Sequence, residues 1–307
     1  MFGGQQSYTY AKRGAWAGIV VTFLLAVGLG IVGMLGRSAA LLAAAADSLA
    51  DTLSSTAILV GLTIAAAAPD RQHPYGHGKA EPVAGKAVAI VLIIIALGVL
   101  WRSLVDLVQH AVRPPPEVYT LYAAVAAGVV HELLFRYQYR VGTRVGSVSL
   151  QVDAWNHRMD VLSNLVAVIG VAGSRLGGPG WSWLDNVAGA AIAFVILYVG
   201  VKLFRQAAME LMDTRLPEDQ MLEIRRVIEN VEGVLDVELI RARKSGLVIF
   251  LDVHIEVDRF LSVEEGHRIA SLVRHRVRDE LPQVADVLVH VEPHYSRQKR
   301  LQKTSRY

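Results

Sequence analysis

The stretch Ala43-Ala-Ala-Ala-Asp47-Ser-Leu-Ala-Asp51 sets two carboxylates inside an apolar run. Between Ser38 and Ala68 the chain has no other charged residue, and the next one is Asp70. At about 1.5 Å of rise per residue, a run of that length crosses a bilayer as a helix. Asp47 and Asp51 stand one turn apart and leave the helix from the same face. A charged Asp at the centre of a spanning helix costs about 2.5–3.5 kcal/mol, so the pair requires a cation, protons or buried polar partners.

Working outward, the chain has six segments long and apolar enough to span, at roughly 15–35, 39–68, 80–108, 118–139, 147–176 and 181–204. The third and fifth exceed what a bilayer needs, which predicts tilt or extension beyond it. The connectors Gly36-Arg-Ser, Arg113-Pro-Pro-Pro and Gly177-Gly-Pro-Gly are short and rich in helix breakers. They carry little positive charge beyond Arg37, Arg113 and Arg175. The opposite side carries Lys12, Arg13, Arg71, Lys79, Arg136, Arg140, Arg144 and Arg205. That bias predicts both termini in the cytoplasm.

The 307 residues are 53% hydrophobic and 19% charged, with the apolar runs concentrated before residue 212. The absence of cysteine excludes disulfides, thiolate sites and iron–sulfur clusters. A net charge of +3, without a basic stripe interleaved with aromatics, argues against a nucleic-acid partner. The first apolar segment is too long for a cleavable signal peptide and is followed by others like it.

Beyond residue 213 the period changes. An amphipathic helix is predicted over 217–230, and strands over 234–243 and 247–257 flank the turn Lys244-Ser-Gly. Ser262 with Glu265 forms a capping box that opens a helix to about residue 281, and a last strand covers 284–292. The order αββαβ predicts a small ferredoxin-like α+β domain with its helices on one face of a sheet. The expected division is a six-helix all-α transmembrane domain over 1–212, a cytoplasmic metal-binding domain over 213–293 and a basic disordered tail over 294–307.

The fifth span opens Asp153-Ala-Trp-Asn-His-Arg-Met-Asp160, where Asn156 and Asp160 repeat the one-turn spacing of Asp47 and Asp51. Asp153, His157 and Asn164 lie on an adjacent stripe. Two helices, each offering such a pair, can close a four-ligand, oxygen-rich site. A divalent cation offsets the cost of burying the carboxylates together, and protons replace it when it leaves. Asp153, Asn156 and His157 also read as solvated residues at the membrane edge. Two intramembrane aspartates are also what a membrane aspartyl protease needs, but here both lie on one helix without a Gly-x-Gly-Asp element. No nucleophile–base pair points to any other membrane hydrolase.

The loop Pro69-Asp-Arg-Gln-His73-Pro-Tyr-Gly-His77-Gly-Lys79-Ala-Glu81 offers Asp70, His73 and His77 as oxygen and nitrogen donors. Lys79 can pair with Asp213 at the far end of the sixth span. In the soluble part, His254 shares a strand face with Asp252 and Glu256, and His290 shares one with Glu292. His267 lies in the first turns of the capped helix. These are metal ligands if they cluster, and solvated surface residues otherwise.

Taken together, the aspartate pair, the His73-to-Glu81 loop and the Asp153-to-Asp160 segment resemble, in order and spacing, the motifs of the cation diffusion facilitator family. The resemblance runs from the first span to about Pro293. It implies a homodimer in a lipid bilayer, expected to be a bacterial inner membrane, that exports a divalent transition metal by proton antiport and holds no prosthetic group. It assigns Asp47, Asp51, Asn156 and Asp160 to the transport site and Asp70, His73 and His77 to a loop site. His254, His267, His290 and Glu292 fall at a regulatory site between protomers, and Lys79 with Asp213 at an ion pair that ties helices near the dimer contact. The chain departs from zinc-selective members in having Asn156 where they carry His. An amide oxygen favours Mn²⁺ or Fe²⁺ over Zn²⁺, although a modest helix rotation would bring the neighbouring His157 to the metal instead. Glu238 stands where some members have His, and Glu292 where some have Asp. A membrane-anchored metal sensor or scaffold is the competing class, but it would need only the soluble domain.

Overall fold

The computed structural model describes residues 4–65, 67–109, 114–145, 148–246 and 248–295. Arg113, Leu247 and residues 296–307 of the expected tail lie outside the described residues. The helices are α1 (Gly4–Leu35), α2 (Ala39–Ala65), α3 (Ala80–Val108), α4 (Val118–Val145), α5 (Val148–Leu176), α6 (Trp183–Leu211), α7 (Glu218–Glu229) and α8 (Val263–Glu280). The strands are β1 (Asp236–Ser245), β2 (Val248–Val257) and β3 (Val284–Pro293). Among the described residues, 6 helices, α1 to α6, are long and apolar enough to cross a membrane. The protein is therefore a multi-pass membrane protein with a small α+β part. Helices α4 and α6 continue past the predicted ends at 139 and 204, to Val145 and Leu211. The end of α6, Arg205-Gln-Ala-Ala-Met-Glu-Leu211, is rich in good helix formers, and neither helix has a reason to stop where its apolar stretch does.

The chain divides into two compact units, 1–60 with 84–205 and 61–83 with 206–307. In the first, the interior is built from small residues: Ala40, Ala43, Ala44, Ala96, Ala124 and Ala167 are buried together. Without a hydrophobic drive between helices in lipid, close backbone approach supplies the packing. At Gly189 on α6, a Cβ would lie 2.8 Å from the Ala39 carbonyl carbon. At that crossing Asp185 of α6 accepts hydrogen bonds from the Ser38 hydroxyl and the Ala39 N–H. A side chain from another helix thus caps α2. Large apolar side chains such as Phe23, Ile94, Trp101 and Phe194 are exposed, as expected for a surface that meets lipid rather than water.

In the second unit the sheet order is β1-β2-β3, with β1 antiparallel and β3 parallel to β2. Alternation along β2 buries Ile249, Leu251, Val253, Ile255 and Val257 against Ile224 and Ile228 of α7 and Ile269, Val273 and Val277 of α8. Residues of the other parity, His254 among them, point away from the helices. The β1–β2 turn needs Gly246 twice over. Its φ is +62°, and a Cβ there would sit 2.8 Å from the Gly78 carbonyl oxygen.

The predicted capping box is present at α8. Ser262 Oγ accepts from the Glu265 N–H at 3.2 Å, and Glu265 Oε2 accepts from the Ser262 N–H at 2.9 Å. The Ser262 backbone N–H, then its hydroxyl, holds the Glu265 carboxyl below its ordinary 4.5. A depressed carboxyl pKa stabilises the fold fully above the ordinary value, and that contribution is lost as pH falls through the folded value. Ser262→Ala is expected to destabilise the first turn of α8 by about 1 kcal/mol. Hydrogen exchange across α8 at neutral pH should show faster exchange confined to that turn, with the difference from the parent shrinking as the pH drops below 4.5.

Candidate metal centres

Three clusters of His and carboxylate side chains occur among the described residues. One lies inside the membrane unit and is made by His131 of α4 with His157 and Asp160 of α5; the aspartates of α2 lie beside it. Asp47 lies beside Ser163 and Asp160. The Asp51 carboxyl lies beside that of Asp160 and has Asp47 and Asp153 nearby. Its Oδ2 is buried without a hydrogen-bond partner. Carboxylates this close hold together only with a proton or a cation between them. Asp47 and Asp51 are thus brought beside Asp160, while the compact donor group at Asp160 is made with His131 and His157, and Asp47 and Asp51 keep partial access.

Asn156 does not join them in the way the spacing suggested. On α5 the buried stripe is Ala154, His157, Asp160, Asn164 and Ala167, and Asn156 falls on the exposed side of it. A four-residue step turns a helix by about 400° and a three-residue step by about 300°. Asn156 and His157 therefore flank the Asp160 direction on opposite sides, and packing selects His157. Its Nδ1 lies 3.2 Å from Asp160 Oδ2.

Sequence reasoning missed His131 of α4 altogether. It is fully buried, with Nδ1 3.4 Å from Asp160 Oδ2 and Nε2 3.5 Å from Ser48 Oγ. The available signal was the pair His131-Glu132 in the middle of an apolar span, since an ionisable group at that depth is a functional candidate in its own right. Further polar contacts hold these helices in place. Thr52 donates to Thr22 of α1 at 2.9 Å, and Gln138 of α4 donates to Asp153 of α5 at 3.0 Å.

The loop cluster is organised by Asp70, whose Oδ1 accepts the N–H groups of Gln72 and His73 in an Asx turn. The His73 N–H is the main reason its carboxyl is held below the usual range. His73 Nδ1 and His77 Nε2 lie 3.3 and 3.4 Å from the two Asp70 oxygens, and the rings are 4.5 Å apart. Asp70, His73 and His77 are thus brought together as expected.

In the α+β part, the parallel register places His254 opposite His290 and Glu256 opposite Glu292. His254 Nδ1 is 2.9 Å from Glu292 Oε1, and His290 Nε2 is 3.7 Å from it. The hydrogen bond with His254 leads in holding the Glu292 carboxyl below its ordinary 4.5, with Glu238 and His290 adding to it against partial burial. His267 is not brought to this cluster. It is exposed on α8, the helix that covers the opposite face of the sheet, because Gly266 and Ile269 take the inward positions.

Lys79 Nζ donates to Asp213 Oδ1 at 2.7 Å and to the Glu210 carbonyl at 2.9 Å. Both partners are well exposed, so the pair is worth at most about 1 kcal/mol to stability. Asp213→Ala is expected to leave the thermal midpoint of the detergent-purified chain within a few degrees of the parent. A collapse of folding would show that the pair is buried in the assembled protein.

The family model for the cation efflux transmembrane domain matches residues 15–212, and that for the cation efflux protein cytoplasmic domain matches 216–294. The chain is 34% identical over 291 residues to metal tolerance protein C1 of Arabidopsis thaliana, covering 90% of this chain and 61% of that longer protein. It is 31% identical over 289 residues to the manganese efflux system protein MneP of Bacillus subtilis, covering 93% of this chain and 97% of that one. A solved structure titled MamM-CTD 215-293 is 31% identical and covers 25% of this chain and 98% of its own, with a TM-score of 0.25.

Proposed function

This chain belongs to the cation diffusion facilitator family of cation efflux proteins, and from that premise we propose that it exports a divalent transition metal from the cytoplasm in exchange for protons. The observation that carries the proposal is the placing of Asp47 and Asp51 of α2 beside Asp160 of α5, which His131 and His157 also face inside the membrane unit. Inward-open, the carboxylates are deprotonated by cytoplasmic pH and load the cation. The helices then rock, the site opens to the other side, and protons displace the metal. In this reading Asn156 lines the approach to the aspartates.

Mn²⁺ or Fe²⁺ is favoured over Zn²⁺, on the strength of the carboxylate-rich donor set and of the likeness to a manganese efflux protein. A zinc-preferring exporter is the second reading, favoured by His157 lying against Asp160. We assign the loop and cytoplasmic clusters to regulatory metal, which biases the cycle by linkage and holds two protomers together. The domain division at about 212 and the placement of both termini in the cytoplasm of a bacterial inner membrane belong to the same proposal.

Proteoliposomes with an imposed pH gradient test it, with Mn²⁺, Fe²⁺, Zn²⁺, Co²⁺ and Cd²⁺ offered in turn. Metal uptake coupled to opposite proton movement is expected, strongest for Mn²⁺ or Fe²⁺. Metal binding without any proton or metal flux would instead identify a membrane-anchored sensor or scaffold.

A further inference from the structure

We propose that His131 of α4 joins His157 and Asp160 of α5 in an intramembrane pocket that takes a borderline first-row cation, such as Fe²⁺, Co²⁺ or Zn²⁺, through two imidazole nitrogens and one carboxylate oxygen. Its role in selectivity rests on the transport reading above, whereas its capacity to bind metal does not.

Spacing is the first argument. Around a tetrahedral ion with bonds of about 2.0–2.1 Å, neighbouring ligand atoms stand about 3.3–3.4 Å apart. The Nδ1 atoms of His131 and His157 lie 3.4 and 3.2 Å from the same Asp160 oxygen, and all the ligand atoms lie within 4.8 Å of one another. Small side-chain adjustments therefore bring all three to one ion. His131 Nδ1 has no hydrogen-bond partner although the residue is fully buried. A buried nitrogen left unpaired is costly in the absence of a ligand.

The outward nitrogens supply the second argument. A metal-bound imidazole turns its other nitrogen toward a polar group that fixes the ring. His131 Nε2 faces Ser48 Oγ at 3.5 Å, and His157 Nε2 faces Asp153 Oδ2 at 3.9 Å. Asp153 is itself held by Gln138 of α4. Both rings thus turn Nδ1 inward; His131 Nε2 has Ser48 to fix it, whereas His157 Nε2 stays buried without a hydrogen-bond partner. Imidazole donors discriminate against Mg²⁺ and Ca²⁺ and draw the preference away from Mn²⁺ toward the later metals. His131 is thereby a specificity-determining residue contributed by a helix outside the aspartate pair.

The test uses the full chain with His73, His77, His110, His254, His267, His275, His290 and His294 replaced by Ala, which leaves His131 and His157 as its imidazoles. X-ray absorption of bound Co²⁺ is expected to show imidazole scattering. His131→Gln, which retains an amide able to face Ser48, is expected to weaken that scattering and raise the Co²⁺ dissociation constant at least tenfold. No imidazole scattering in the parent, or an unchanged constant in a variant that still elutes as folded protein, would overturn the pocket. In proteoliposomes the Zn²⁺-to-Mn²⁺ ratio of kcat/KM should fall at least tenfold in His131→Gln. Equal losses for both metals would reduce His131 to a packing role and overturn its part in selectivity. An absence of transport by the parent would overturn the exporter reading instead, with the Co²⁺ measurements still deciding the pocket.

Discussion

Asp51→Ala is expected to lower initial metal uptake in proteoliposomes by at least about 100-fold, while the purified chain keeps its elution volume and helix content. Even outer-shell partners of a metal site are worth about 10–100-fold in affinity, and Asp51 stands closer than that. It lies beside Asp160 and has a buried oxygen with no hydrogen-bond partner. Removing it also removes one of the carboxylates whose crowding drives proton uptake when the cation departs. Stability should hold, because the substitution deletes a buried polar group and leaves a good helix former among alanines. Uptake retained in the variant would take Asp51 out of the transport site. Asn156→His gives a sharper comparison at lower amplitude. If the exposed edge of α5 also meets the ion, the profile moves toward zinc. An unchanged profile would assign selectivity to the inward-facing His157.

Ile255→Ala has the largest expected effect on the soluble part, about 2–5 kcal/mol. Ile255 is fully buried toward the end of β2, the middle strand of the sheet, in the core shared with α7 and α8. Truncation removes its transfer free energy and leaves a cavity that paired strands cannot collapse around. In the full chain, hydrogen exchange at the β2 amides should lose protection by at least about 30-fold, since about 1.4 kcal/mol is a factor of ten. Exchange in α2 and α5 should serve as the unchanged internal reference. Unaltered protection across β2 would mean that this strand does not carry the core.

Much of this architecture is legible in the amino-acid order, for local reasons. The six spans follow from uninterrupted hydropathy, and the αββαβ order from a period that switches between two and 3.6 residues. The box at Ser262 and Glu265 is local hydrogen-bond chemistry that needs no partner from elsewhere. The loop residues Asp70, His73 and His77 meet because a short turn leaves them little choice. His254, His290 and Glu292 required more, since their meeting depends on a parallel pairing across the α8 crossover. His267 stands apart from that group within one chain for the same reason, as nothing local says which face of the sheet α8 will cover.

Inside the membrane the division is clearer still. Amino-acid order alone determined that α2 and α5 carry carboxylates at membrane depth, because burial cost is a property of each residue and adds along the chain. The tertiary structure decided which neighbours those carboxylates meet: His157 rather than Asn156, and His131 from a helix whose spacing gave no hint of it. The physical reason is rotation about the helix axis. In a bilayer every face of an apolar helix is tolerable, so the rotational setting comes from packing against other helices through Ala40, Ala124, Ala167 and Gly189, and such contacts exist only once the bundle has assembled.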